Sequence, residues 1–83
     1  MKVQLRFFAS LREALGASEP INMPEGSTVG DVRNLLLARG GRHAELLARS
    51  RAVRCALNQA LCDEAALLSD GAELAFFPPV TGG

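Results

Sequence analysis

The sequence predicts an α+β fold in which one main helix packs on one face of a small mixed sheet. Three observations carry this. Strand-like alternation of apolar and polar residues runs near both ends of the chain, at residues 2–8 and 73–77. Between them, residues 28–39 hold apolar side chains at helical spacing. The order of elements is strand, strand, helix, strands, joined by turns rich in glycine, proline and aspartate. With 83 residues, nearly half of them hydrophobic, the chain makes one small domain close to the lower limit for a self-sufficient core.

Taken in order, Val3, Leu5 and Phe7 alternate with Gln4, Arg6 and Phe8, which gives a first strand with one apolar face. Ser10 is a candidate cap for a short helix over residues 11–15, closed by Gly16. A second strand is expected over residues 19–23, between Pro20 and Pro24, followed by a turn at Pro24-Glu25-Gly26-Ser27. Thr28 opens the main helix, and Asp31 three residues on makes a capping box with Asp in place of Glu. Val29, Val32, Leu35 and Leu36 form its apolar stripe, and Gly40-Gly41 stops it. A shorter helix is expected over residues 43–49, presenting Ala44 and Leu47 to the core. Val53, Cys55 and Leu57 then alternate as a strand, Asn58-Gln59 turns the chain into Ala60-Leu61-Cys62, and Asp63-Glu64 turns it again. Ser69-Asp70-Gly71 leads into the last strand, residues 73–77, where Leu74 and Phe76 face the core and Ala75 and Phe77 face outward.

Composition narrows the function. Nine basic and nine acidic residues cancel, which argues against bulk electrostatic binding to nucleic acid or to an anionic membrane. Arg39, Arg42, Arg49, Arg51 and Arg54 cluster in sequence with only Glu45 among them. Such a run is either a solvated helix face and loop or a dock for an acidic partner surface. Cys55 and Cys62 lack CxxC spacing and a His-rich neighbourhood, so neither a zinc site nor a redox site is predicted, and Cys55 reads as a small buried hydrophobe. His43, the only histidine, has no partner at a catalytic spacing. Phosphate loops, metal-ligand clusters, nucleophile–base pairs and carboxylate dyads are all missing from the pattern, so no chemistry is expected of the chain acting alone. The N-terminus alternates without an apolar h-region, so no signal peptide is expected, and no run reaches membrane-spanning length. A reducing cytoplasm fits both readings.

The C-terminus is the most distinctive stretch. Pro78 and Pro79 cannot donate ladder hydrogen bonds, so the sheet should stop at Phe77 and leave a domain of residues 1–77 with a flexible tail of residues 78–83. An extended chain rises about 3.3 Å per residue, so Gly83 would stand roughly 20 Å beyond Phe77, far enough to enter the active site of another protein. Without Cβ atoms, Gly82 and Gly83 can thread a channel too narrow for other residues. The distinctive group at the tip is the α-carboxylate of Gly83. Chain ends are often rich in small residues; what singles out this one is its place after a Phe-Phe strand and a Pro-Pro stop. Phe77, exposed beside the tail, reads as part of a partner-docking patch.

Phe7-Phe8-Ala9, Leu11-Arg12-Glu13, Leu15-Gly16, Asn58-Gln59 and above all the run from Leu68 to Gly83 resemble the small, sulfur-carrying subunits of molybdopterin synthase, the MoaD family. The resemblance spans the chain and is weakest over residues 39–54. It implies a ubiquitin-like β-grasp fold with the first and last strands side by side and parallel. It further implies a mechanism. An ATP-dependent activating enzyme of the ubiquitin-E1-like type adenylates Gly83, and sulfur delivered as a persulfide converts it to a thiocarboxylate. The tail then enters the large synthase subunit and donates sulfur to a cyclic pyranopterin precursor of the molybdenum cofactor. On this reading Gly83 is the carrier, Gly82 the spacer, and Pro78, Pro79, Val80 and Thr81 line the tail's path. Phe77 and Phe8 belong to the docking surface. No bound cofactor or metal is implied for the carrier, and ATP is used by the activating enzyme. The assembly expected is a heterotetramer of two small and two large subunits. Open alternatives are a sulfur carrier for thiamine or sulfur-amino-acid synthesis, a ubiquitin-like protein modifier, and an interaction module with an inert tail.

Overall fold

The alternation of Val3, Leu5 and Phe7 makes Lys2–Phe7 a strand, β1, with those three side chains buried. The computed structural model, which describes residues 1–79, continues with α1 (Ala9–Leu15), β2 (Ser18–Asn22), α2 (Val29–Ala38) and α3 (Gly41–Leu46). β3 (Arg54–Leu57), β4 (Ala60–Cys62) and β5 (Ala72–Phe77) follow. The described residues form one five-stranded sheet in the order β2-β1-β5-β3-β4. β1 pairs with β5 in parallel, Val3 opposite Ala72 and Phe7 opposite Phe76, and the other pairings are antiparallel. First and last strands thus lie side by side at the centre, as in a ubiquitin-like β-grasp fold. Pro20 is accommodated because β2 is an edge strand, where a missing N–H breaks no second ladder.

The core lies between the sheet and α2. Val3, Leu5, Phe7, Leu74 and Phe76 from the central strands meet Val29, Val32 and Leu36 from the helix, with Leu11, Leu47 and Leu68 closing the ends. The Phe7 and Phe76 rings stack with centroids 6.2 Å apart. The predicted capping box is present: Asp31 N–H donates to Thr28 Oγ1 (3.2 Å) and Thr28 N–H to Asp31 Oδ2 (2.8 Å). The Gly40-Gly41 stop also holds, at φ 72° and 54°, a left-handed geometry that favours glycine.

Several expectations are corrected. Ser10 does not cap α1. The helix begins on the Phe8 carbonyl, which accepts from Leu11 N–H and Arg12 N–H, because Ala9 turns the chain at φ 53°. That turn also takes Phe8 out of the first strand. β2 and β5 each begin one residue earlier than expected. The third helix covers Gly41–Leu46 and not residues 43–49. Leu47 is fully buried beyond its end, and its carbonyl is taken by the Arg33 guanidinium instead of a further helical turn. In α2 the stripe is Val29, Val32, Arg33 and Leu36, while Leu35 is 37% exposed.

Buried Arg33 is the polar anchor of the fold. Its Nε donates to Leu47 O (2.8 Å), its Nη2 to Ala48 O (3.0 Å) and its Nη1 to Glu64 Oε2 (3.2 Å). Arg49 holds the other oxygen of Glu64 at 2.6 Å. The two guanidiniums fasten the loop after α3 to the loop after β4. Gly30 has a packing reason here: a Cβ would stand 3.1–3.3 Å from atoms of Glu64, whose carbonyl accepts from Gly30 N–H.

Candidate functional site

The sheet has a core face and an outer face, and register decides which residues share the outer one. Arg6 lies opposite Ala75, Ala75 opposite Ala56, and Ala56 opposite Leu61, so these four form a row across β1, β5, β3 and β4. One step toward the C-terminal end of β5 lies Phe77, opposite Arg54. Phe8 N–H donates to Phe76 O (3.2 Å), which brings Phe8 to the same end of the sheet, past the last paired residue of β1. Phe8 is 39% exposed, and the Arg6 guanidinium lies 5.6 Å from its ring centroid, a cation–π contact. Phe77 is on the outer face as its alternation predicts, but half-buried rather than freely exposed. Leu61 is 67% exposed. Sequence reading did not single out Leu61; the signal was available in the alternation of β3 carried through a two-residue turn, which places residue 61 on the same face as residue 56.

The described residues therefore show an apolar outer band of Phe8, Phe77, Ala56 and Leu61, rimmed by Arg6 and Arg54. β5 ends at Phe77, and the half-buried Pro78 and Pro79 lie outside the ladder. Pro78 borders a surface cleft of about 420 Å³ together with Leu11, Leu46 and Val53. Val80, Thr81, Gly82 and Gly83 lie outside the described residues. Phe8 and Phe77 thus lie at the end of the sheet from which Pro78 and Pro79 leave, with Ala56 and Leu61 continuing the band across β3 and β4.

Among the described residues, two of the five clustered arginines are held by carboxylates. Arg39 donates to both oxygens of Glu19, at 2.6 and 2.9 Å, and Arg49 grips Glu64. Each arginine holds its carboxyl partner below the ordinary carboxylate range, chiefly through the direct hydrogen bond, against the opposing effect of burial. Both acidic partners come from outside the arginine run, which is why the sequence cluster looked unpaired. His43 Nε2 stands 3.5 Å from Arg39 Nη1. Cys55 and Cys62, dismissed on spacing, are directly opposed across the β3–β4 hairpin. Among the described residues no group of three or more His, Cys, Asp or Glu could hold a metal ion, and no helix is long and apolar enough to cross a membrane.

Comparison with known proteins agrees with this geometry. The ThiS family model matches residues 5–83. The molybdopterin synthase sulfur carrier subunit of Escherichia coli is 37% identical over 81 residues, 98% of this chain and 99% of that one. SAMP1 from Haloferax volcanii, a small archaeal modifier protein, superposes with a TM-score of 0.79 at 26% identity, covering all of both chains. A chain in the complex of subunits 1 and 2 of molybdopterin-converting factor from Helicobacter pylori superposes with a TM-score of 0.71 at 26% identity, again over the whole of both. The chain belongs to the ThiS family of ubiquitin-like β-grasp proteins, alongside the molybdopterin synthase sulfur carrier subunits.

Proposed function

We propose that this protein is the sulfur carrier of a molybdopterin synthase, loaded at Gly83 and docked through the outer face of its sheet. The observation that supports this most directly is positional. The apolar band runs from Leu61, two strands from β5, to Phe8 and Phe77 beside the point where β5 ends and the Pro78-Pro79 segment begins. A partner seated on that band is well placed to receive the six-residue segment from Pro78 to Gly83. A carboxylate is a poor electrophile because its charge is shared over two oxygens. Adenylation of Gly83 by an ATP-dependent, E1-like activating enzyme supplies AMP as a leaving group. The terminal sulfur of a persulfide attacks the acyl carbon and expels AMP, and a thiol then cleaves the S–S bond to leave the thiocarboxylate. Donation of that sulfur to a cyclic pyranopterin precursor takes place in the large subunit, which supplies the acid, base and pocket. Gly82 is the spacer, and Pro78, Pro79, Val80 and Thr81 line the path. Pro78 and Pro79 restrict the free segment beforehand, which lowers the ordering cost of about 1–2 kcal/mol per residue on insertion.

The solved complex of a chain of this fold with a second converting-factor subunit supports a large-subunit partner; the assembly proposed is a heterotetramer of two small and two large chains. Dependence on ATP fits a cytoplasmic location. The likeness to an archaeal modifier favours one second reading, attachment of Gly83 to lysines of other proteins. Intact mass spectrometry of the protein, purified from cells that also make its activating enzyme, separates the two. The carrier reading expects one oxygen replaced by sulfur, localised to Gly83, and no conjugates on a denaturing gel. An unmodified terminus beside a demonstrably active activating enzyme overturns it.

A further inference from the structure

Cys55 and Cys62 are Cα partners across the β3–β4 hairpin, seven residues apart in sequence. The hairpin turns through Asn58 and Gln59 alone, at φ 50° and 70°, the geometry of a type I′ turn. In such a hairpin Leu57 and Ala60 close the turn as a hydrogen-bonded pair, and so, two residues on, do Cys55 and Cys62. Residues paired in this way have Cα atoms about 5.5 Å apart, inside the range a disulfide spans. The two sulfurs stand 3.6 Å apart, with the Cys62 thiol aimed at the Cys55 sulfur. The Cys55 thiol in turn donates to the Cys62 carbonyl at 3.3 Å. β4 is a three-residue edge strand held on one side only, so it can shift by the small distance that bonding needs. Both thiols are half-buried, yet both line a surface cleft of about 380 Å³ shared with Arg33, Asp63 and Glu64.

We infer that Cys55 and Cys62 are a redox modification site, closing reversibly into an intramolecular disulfide that staples the β3–β4 hairpin. A low-molecular-weight disulfide is the oxidant. The Cys62 thiolate attacks one of its sulfurs and expels the other half as a thiolate, leaving a mixed disulfide on Cys62. Cys55 then attacks the Cys62 sulfur and expels the second half. Two protein thiols are oxidised, one small disulfide is reduced to two thiols, and the two protein protons pass to the leaving thiolates. The order follows from position: Cys62 lies on the edge strand β4, open on one side, whereas Cys55 lies on β3 between β4 and β5, so Cys62 is the thiol first met from outside. The staple acts on function through position. Leu61 sits on β4 between the turn and Cys62 and faces the outer band, so the bridge fixes the strand that carries it.

The test uses the folded full chain in buffers of graded reduced-to-oxidised glutathione ratio, quenched in acid and read by intact mass and peptide mapping. The expected product is a monomer lighter by two hydrogens, carrying no glutathione, with residues 55 and 62 cross-linked and fully restored by dithiothreitol. Cys55→Ser is expected to stop at a single glutathione adduct on Cys62. Circular dichroism of each variant verifies folding, with Cys55→Ala as the second variant if the serine is poorly tolerated. A wild-type protein that accumulates stable glutathione adducts, links only between molecules, or closes the bridge only in denaturant overturns the inference. Because its signature is a mass loss at residues 55 and 62, it stands or fails separately from sulfur loading at Gly83.

Discussion

Arg33 is a charged side chain in the core layer, and its truncation should be among the most damaging single changes in the protein. Arg33→Ala leaves the Leu47 carbonyl without its donor, removes one of the two donors on the Ala48 carbonyl, which keeps Arg51 N–H, and takes one of two guanidiniums from Glu64. The unsatisfied buried carbonyl together with the lost charge-assisted hydrogen bonds costs about 2–4 kcal/mol in total, read as a lower urea midpoint. Arg33→Lys should recover only part of the loss, since an ammonium cannot reproduce the fork that reaches two carbonyls and a carboxylate at once. This residue was hidden in the sequence. Helical periodicity favoured Leu35 for the remaining stripe position, and the pattern alone cannot say that Leu35 stands exposed or that carbonyls wait beneath Arg33. Phe76 was readable, because β alternation is unambiguous once one face is buried. Phe76→Ala should cost about 3–5 kcal/mol, as expected for a buried phenylalanine stacked on a second ring. Leu61→Ala, at an exposed site, should shift stability by less than about 0.5 kcal/mol.

At the scale of elements, the boundaries resist sequence reading where backbone geometry is set by a single unusual residue. Ala9, at φ 53°, moves the start of α1 onto Phe8, and nothing in an alanine announces a left-handed turn. The capping box at Thr28 and Asp31 was readable because its chemistry is local. The hairpin turn was also readable from Asn58, though Gln59 is an unfavoured residue at φ 70°. Gln59→Gly would restore the preferred Asn-Gly pair, and a gain of about 0.5 kcal/mol in thermal unfolding is expected after the entropy of glycine is set against the relieved strain. The loop ion pairs give the fold an acid-sensitive edge. Glu64 is held below its ordinary value of 4.5, first by the Arg49 hydrogen bond, and Glu19 likewise by Arg39. In both cases the unfolded chain takes up protons before the folded one, so the stabilisation is complete above that ordinary value and is lost as pH falls through the lowered folded values. The melting temperatures of wild type and Glu64→Gln should therefore differ near neutral pH and converge in acid, and a gap that persists unchanged at the acid end contradicts this account.

For the molecule as a whole, the division of labour between the β-grasp body and the segment after Phe77 yields the sharpest prediction. The end of the sheet was legible in the chain itself: two prolines follow Phe77, and β5 stops there. The apolar outer face was legible only in part, since Phe77 follows from alternation, whereas Leu61 joins it through the pairing of β4 with β3 and of β3 with β5. If the face docks and the terminus reacts, the two can be broken separately. Leu61→Ser should weaken binding to the large subunit and to the activating enzyme by about 5- to 30-fold, the effect of losing 1–2 kcal/mol at an exposed anchor, with an unchanged melting temperature. It should still acquire sulfur at Gly83 when the activating enzyme is in excess. A chain extended by one residue past Gly83 should show the reverse, binding the large subunit within a few-fold of wild type and never gaining the sulfur mass. Titration calorimetry and intact mass on the same two variants read both arms. A Leu61→Ser protein that binds normally moves the interface off the sheet's outer face, and an extended chain that still takes up sulfur removes Gly83 from the chemistry.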